Sequence, residues 1–271
     1  MRVNKIWAAY FSPTGTTSKI TERIAMQVAA GIDRPVLPFD FTLPASRQGV
    51  QQYQATDLVV FGTPVYAGRV PNVLLTYLNS LEGNGALAVP VVLFGNRNYD
   101  DALKELYRIL ADRHFCPMAA AAFVGEHSFS LVLAKDRPDD ADLAMADSFA
   151  DNIAGKLIKG DYTLPSFQAD SEPLKKYYQP RTSEGTPIDI RKVLPKTNEN
   201  CTHCDICADH CPMGAIDNED LEHFLNICIK CGACIKKCPF QARYFDDENY
   251  LFHKLDLEET YVRRAEPSLF I

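Results

Sequence analysis

Eight of the chain's nine cysteines lie between Cys201 and Cys238, and they write one pattern twice. CTHCDICADHCP runs from Cys201 to Pro212 and CIKCGACIKKCP from Cys228 to Pro239, the second copy 27 residues after the first. Each reads Cys-x2-Cys-x2-Cys-x3-Cys-Pro. Three thiolates at that spacing point from one tight loop at the irons of a cubane 4Fe-4S cluster, while the fourth Cys, followed by Pro, starts a helix. The segment must therefore fold around inorganic cores. Zinc also takes Cys-x2-Cys pairs, but a tetrahedral ion has no use for a third evenly spaced Cys or for the Cys-Pro closure. A disulfide framework belongs to short secreted chains, and MRVNKIWAAYFSP at the amino terminus carries too short an apolar stretch for an export signal.

At 271 residues the chain is too long for this segment to be the whole protein, so a second domain is expected. Residues 196–271 hold 8 Lys and Arg against 14 Asp and Glu, which places six of the net seven negative charges beside the cysteines. Nucleic acid is excluded as a partner, because phosphate binding needs a concentrated basic surface. Docking onto the basic patch of a redox protein suits the acidic half. No stretch approaches the ~18 consecutive apolar residues of a membrane span. A cytoplasmic, reducing setting is the expectation for so many thiols without an export signal.

Residues 3–160 alternate apolar runs with amphipathic stretches, the signature of a parallel sheet covered by helices. Strands are expected at Lys5 to Phe11, Pro35 to Phe41, Asp57 to Gly62, Leu87 to Phe94 and Met118 to Val124. Helices are expected at Thr17 to Ala30, Pro71 to Leu81, Tyr99 to Asp112 and Asp139 to Ile158, with Pro71 as the first residue of its helix. Only the link from Thr42 to Thr56 lacks a helical pattern. The fold class is α/β, a doubly wound parallel five-stranded sheet of order 2-1-3-4-5, with a second, small α+β domain. The expected division is 1–160 for the sheet domain, 161–195 for a connector with five prolines, 196–245 for the cluster domain and 246–271 for a tail. The connector is expected to lie over the first domain through Tyr177 and Tyr178.

After the first strand comes SPTGTT, Ser12 to Thr17, opening a helix. Hydroxyls at Ser12, Thr14, Thr16 and Thr17 around Gly15, with the free N-H groups of a helix start, suit a phosphate held without a cation. An ordinary Ser/Thr helix cap is the alternative. The loop is not a P-loop, and no G-x-G-x-x-G dinucleotide motif occurs. Two further segments follow strand ends on either side of the switch point: GTPVYAGRVP from Gly62 to Pro71, and GNRNYDDA from Gly95 to Ala102.

Strand one with its loop resembles the phosphate loop of flavodoxins, which bind FMN at the carboxyl edge of the sheet. The resemblance implies a flavodoxin-like fold and contacts from Ser12, Thr14, Gly15, Thr16 and Thr17 to the phosphate. Thr63, Pro64, Val65, Tyr66, Ala67 and Gly68 would meet the flavin ring from one loop, and Gly95, Asn96, Arg97, Tyr99 and Asp100 from the other. Tyr66 and Tyr99 are the stacking candidates. Arg69 and Arg97 are cations near the ring, with Asp100 and Asp101 beside Arg97. Cys116 reads as a small buried or half-buried residue beside strand five, and His127 as a loop residue.

The cysteine repeat resembles bacterial two-cluster ferredoxins, in which the fourth Cys of each run ligates the other cluster. That implies one cluster on Cys201, Cys204, Cys207 and Cys238, and the other on Cys228, Cys231, Cys234 and Cys211. The first run closes as CPMGAI with Gly214 three residues after Cys211, the second as CPFQAR with Gln241 there, so the turn at one cluster is expected to differ. Over about residues 3–245 the chain resembles the flavodoxin-ferredoxin fusions called EFR-type ferredoxins. EHSFS at Glu126 to Ser130 and RPD at Arg137 to Asp139 also look like that family, and belong in a loop near the flavin. The resemblance implies FMN and two 4Fe-4S clusters on one chain, serving as an electron carrier or adaptor for a partner redox enzyme. The alternatives are an FMN-dependent oxidoreductase acting on a quinone, porphyrinogen or nitro compound, and a redox sensor. No residue needs to act as acid, base or nucleophile.

Overall fold

A computed structural model describes residues 3–163 and 172–271; Pro165 of the connector lies outside them. The first half is built from β1 (Lys5–Tyr10), α1 (Thr16–Ile32), β2 (Val36–Asp40), β3 (Asp57–Pro64), α2 (Leu75–Leu78), β4 (Leu87–Phe94), α3 (Ala102–Asp112), β5 (Cys116–Pro117), β6 (Ala120–Val124) and α4 (Asp140–Lys159). The strands are parallel in the order β2-β1-β3-β4-β6, the flavodoxin-like order with β5 and β6 sharing the fifth place. Both faces are covered, so β4 is buried along its whole length and its side chains sort by alternation. Val89 and Val91 join Ile20, Ile24, Phe149 and Ile153 on the α1 and α4 side. Val92 and Phe94 join Phe41, Leu103, Leu106 and Leu110 on the other.

The fifth strand is split for a reason that lies in β4. Pro90 stands mid-strand, where proline has no N-H to give the ladder. Regular parallel pairing would direct that N-H at the Met118 carbonyl, since Met118 N already donates to the Ala88 carbonyl (3.0 Å). The carbonyl is satisfied instead by Lys156 Nζ, buried at 3.0 Å from it. Pairing resumes at Val91 with Ala121. Cys116 is exposed rather than buried, because β5 is a two-residue piece at the rim of the sheet.

The stretch from Pro71 to Leu81 is less helical than its period suggests. Pro71 stands just outside a 3-10 turn, Asn72–Leu74, which runs into α2. After Asn79, whose N-H still reaches the Leu75 carbonyl, the Ser80 and Leu81 N-H groups turn to the Tyr77 and Leu78 carbonyls three residues back, with Ser80 Oγ also on the Tyr77 carbonyl, and the α-helical ladder ends. From Thr42 to Thr56 the helical content is one 3-10 turn, Pro44–Arg47.

The second half contains β7 (Lys196–Thr197), α5 (Ile206–Asp209), α6 (Ala233–Lys236), β8 (Arg243–Tyr244) and α7 (Glu248–Thr260), with β7 and β8 antiparallel. The chain then returns to the first half. β9 (Ser268–Phe270) pairs antiparallel with β6, Ala120 facing Phe270 and Ala122 facing Ser268. This covers the sheet edge that β6 would otherwise leave unpaired. The cluster half is therefore joined to the sheet at both its ends.

Candidate cofactor sites

The cysteine repeat is also a backbone repeat. His203 and Lys230 (φ 51° and 54°), Asp205 and Gly232 (58° and 75°), and Gly214 and Gln241 (54° and 51°) occupy matching positions in the left-handed region. Asp205 and Gly232 each precede the one-turn helix that carries the third Cys, α5 and α6. Gln241 thus takes the conformation that Gly214 has, and the turn expected to differ is the same in both copies. Each fourth sulfur then accepts the amide N-H four residues on, Cys211 from Ala215 and Cys238 from Ala242, both at 3.3 Å.

Two recesses divide the cysteines across the two runs. One is lined by Cys211, Cys228, Cys231 and Cys234 with Met213, Ile216, Phe224 and Phe245. The other is lined by Cys201, Cys204, Cys207 and Cys238 with Ile206, Leu221 and Phe240. Among the described residues no three Cys, His, Asp or Glu side chains converge on a single-ion site. Burial pushes the Cys228, Cys231 and Cys234 thiols upward, a cost that thiolate bonding to metal would offset.

In the first half, the loop before α1 lines a recess with Thr14, Thr16 and Thr17 together with Pro64, Val65, Tyr66, Gly95, Gly125, Glu126, His127 and Ser128. Gly15 takes φ 90° at the helix start. The Ser12 Oγ accepts the Ser18 N-H of the first turn of α1 at 2.9 Å. Thr63 is buried at the end of β3 with its Oγ1 unpartnered.

PVYAGRV makes a tight turn. Tyr66 and Arg69 exchange backbone hydrogen bonds (2.9 and 3.1 Å) around Ala67 at φ 52° and Gly68 at 76°, the two left-handed residues of a type I′ turn. A Cβ on Gly68 would stand 2.3 Å from the Asp100 carboxylate. Glu105, 3% exposed, holds the turn: it accepts from Arg69 Nε (2.7 Å) and Nη2 (2.5 Å) and from the Val70 N-H (2.9 Å).

Tyr66 also borders a larger recess between the halves, with Gly95, Arg97, His127, Phe129, Tyr178, Ile229, Lys230 and His253 on its walls. The connector lies over it: Tyr178 N donates to the Ala67 carbonyl at 2.8 Å and Tyr177 Oη to the Val70 carbonyl at 3.0 Å. Arg97 is ion-paired with Asp100 and lies over the Tyr178 ring, 4.4 Å from its centroid. Arg69 likewise covers Tyr177 at 4.8 Å. Burial pushes the Tyr66 phenol well above its usual range, with Cys231 and Cys228 adding to the rise. Burial, His253, Lys236 and Arg97 hold His127 neutral, its pKa lowered to about 3.

The loops foreseen from the motifs thus meet at one end of the sheet, with differences at single residues. Tyr99 packs on Phe94 (5.6 Å between centroids) in the apolar layer and borders neither recess, while Tyr178 does. The Asn96 side chain points to the returning tail, donating to the Tyr261 and Arg263 carbonyls (2.7 and 2.6 Å) and accepting from the Ala265 N-H (3.1 Å). Glu105 and His253 carried no motif. Glu105 sits on the buried stripe of α3, where a carboxylate needs a cationic partner.

Residues 194–239 match the family model described as a 4Fe-4S dicluster domain. The chain joins an α/β domain of flavodoxin-like strand order to that dicluster domain. An uncharacterized ferredoxin of Methanocaldococcus jannaschii is 41% identical over 54 residues, 18% of this chain and 32% of that protein. The chain thus spans about a third of this relative's length. Among solved structures, a flavodoxin from the domain Archaea is 14% identical with a TM-score of 0.41, over 57% of this chain and 99% of its own. Flavodoxin 2 of Bacillus cereus is 17% identical with a TM-score of 0.42, again over 57% and 99%. Among the described residues no helix is long and apolar enough to cross a membrane.

Proposed function

We propose that the chain carries electrons between an FMN and two 4Fe-4S clusters, as a carrier or adaptor for a partner redox enzyme. The observation that carries this reading is the shared recess: Ile229 and Lys230, inside the second cysteine run, form one cavity wall with Val65 to Gly68 of the flavodoxin-like half. A flavin supplies the step between two-electron and one-electron chemistry when bound, and clusters pass single electrons. Thr14, Thr16 and Thr17 with the first N-H groups of α1 would hold a monoester phosphate. The Tyr66 turn, Gly95 and the Arg97-covered Tyr178 would enclose the ring. The cysteines would hold the clusters in the crossed sets that line the two recesses.

Attachment at both ends, by the connector and by β9, holds the halves at fixed distance instead of leaving them to meet by diffusion. The acidic balance of the cluster half suits a basic docking patch on the partner, and binding should weaken as salt screens it. The test is anaerobic reconstitution followed by acid extraction, chromatography and iron and sulfide analysis. FMN with about eight irons per chain is expected. FAD, no flavin, or zinc without sulfide refutes the reading. Replacing Thr14 and Thr17 by Ala should weaken FMN binding by ~1.5 to 3 kcal/mol for each lost hydrogen bond to phosphate; unchanged affinity would make the loop a plain helix cap.

A further inference from the structure

The two cysteine sets differ in what lies beside them. The recess of Cys211, Cys228, Cys231 and Cys234 shares Ile229 and Lys230 with the recess between the halves, so this dipeptide is the partition. Other contacts press the same set toward the flavodoxin-like half. Gly232 lies so near Ser128 that a Cβ would stand 2.4 Å from the Ser128 carbonyl oxygen. Lys236 pairs with Glu126 at 2.8 Å. Phe129 on the inter-half recess packs on Tyr250 (4.8 Å), and Tyr250 on Phe245 (4.1 Å), which lines the cysteine recess. The other recess is walled by residues 201–207, 221 and 238–243 alone; Cys204 is exposed, and Phe240 beside it is 44% exposed.

We infer that Cys211, Cys228, Cys231 and Cys234 hold the inner cluster, facing the flavin, and that Cys201, Cys204, Cys207 and Cys238 hold the outer one, where a protein partner exchanges electrons. This rests on the reading that FMN occupies the recess. With FMN and both clusters bound, the inner set would relay one electron at a time, twice per flavin carrying two electrons and two protons, on to the outer set. Two molecules of a one-electron acceptor protein take them, and water takes the two protons; the reverse traffic needs two one-electron donors. Lys230 is a positioning residue in this path. It is 8% exposed, and its Nζ donates to the Cys228 carbonyl (2.8 Å) and to the Arg191 carbonyl, tying the connector to the partition. A fixed cation there favours added electrons on whichever centre adjoins it.

Potentiometric titration of the full chain, loaded with FMN and clusters and followed by electron paramagnetic resonance and visible spectra, tests this order. Lys230→Met should lower the midpoint potential of the cluster that Cys231→Ser removes, and that of the flavin, and leave the other cluster unmoved; Lys230→Arg should restore both. The inference is overturned if the potential that moves belongs to the cluster surviving Cys231→Ser. Hydrogen exchange on the unaltered chain needs no variant. FMN should slow the amides of residues 227–232 by about tenfold or more and leave 202–206 unchanged. Protection at 202–206 instead overturns the cluster order while leaving FMN binding intact. A cluster-loaded chain that binds no FMN overturns the parent reading, and this one with it.

Discussion

Asn96 distinguishes two roles that a motif cannot separate, flavin contact and tail anchor. Its side chain makes three hydrogen bonds to the backbone at Tyr261, Arg263 and Ala265 (2.7, 2.6 and 3.1 Å). At ~1 kcal/mol net for each, their loss removes about 3 kcal/mol from the docking of the returning chain. Asn96 also stands at φ 65°, a conformation asparagine tolerates and alanine does not, which adds about 1 kcal/mol to Asn96→Ala. Asn96→Gly should therefore cost about 3 kcal/mol and Asn96→Ala about 4, the difference reporting backbone strain alone. Since ~1.4 kcal/mol is tenfold in an equilibrium, opening of the tail should rise at least about a hundredfold in either variant. Native-state hydrogen exchange at Ala265 and at Leu269 and Phe270 of β9 reads this directly. FMN affinity should fall less than opening rises. If Asn96→Gly leaves tail exchange unchanged and weakens FMN binding instead, the side chain serves the flavin and the anchoring argument is wrong.

Three further outcomes are expected. Cys211→Ser should cost the cluster shared with Cys228, Cys231 and Cys234, taking iron from about eight to about four per chain; loss of the spectrum tied to Cys201 instead would refute the crossed sets. Glu105→Ala leaves Arg69 without its carboxylate and the buried Val70 N-H without an acceptor, so urea denaturation should show a loss of about 3 kcal/mol, at the lower end for a broken buried pair because Arg69 is partly exposed. A loss below about 1 kcal/mol would mean that water replaces the carboxylate there. His127 is held neutral with its pKa lowered to about 3, so below the unfolded value of about 6.5 the unfolded chain binds a proton that the native one refuses. Stability should fall as pH drops from about 7 to 5, less steeply in His127→Gln; equal slopes would show another group to be responsible.

The two cysteine runs were legible in the sequence because spacing within a tight loop is local. The repeat even foretells matching backbone, although Gln241 in place of Gly214 hides it: a residue other than glycine can hold φ 51° when the surrounding turn imposes it. The parallel sheet was legible for a related reason, since helical and strand periods mark which face each element buries. The split of the fifth strand was written at Pro90, but its remedy, Lys156 reaching the Met118 carbonyl, joins residues far apart in the chain. α2 came out shorter than its period because Ser80 and Leu81 turn to bonds three residues back, with Ser80 Oγ on the Tyr77 carbonyl, a local effect that periodicity does not register.

The tail shows the limit most clearly. Residues 246–271 carry no motif that names a partner, and only the fold supplies one, the free edge of β6 that β9 fills. The same holds at the recess. Tyr99 and Tyr178 are both tyrosines in loops, and which of them borders the cavity depends on Phe94 drawing one ring into the apolar layer and on the connector carrying the other across Arg97. The ligand types and their spacing are properties of short segments, set by covalent reach and backbone preference, and the chain states them alone. Which cluster faces the recess, which side chains wall it and what closes the sheet depend on segments 30 to 170 residues apart packing together, as in the bond of Asn96 to the Ala265 N-H across 169 positions, and such pairings are decided by complementary surfaces that exist only once both segments have folded.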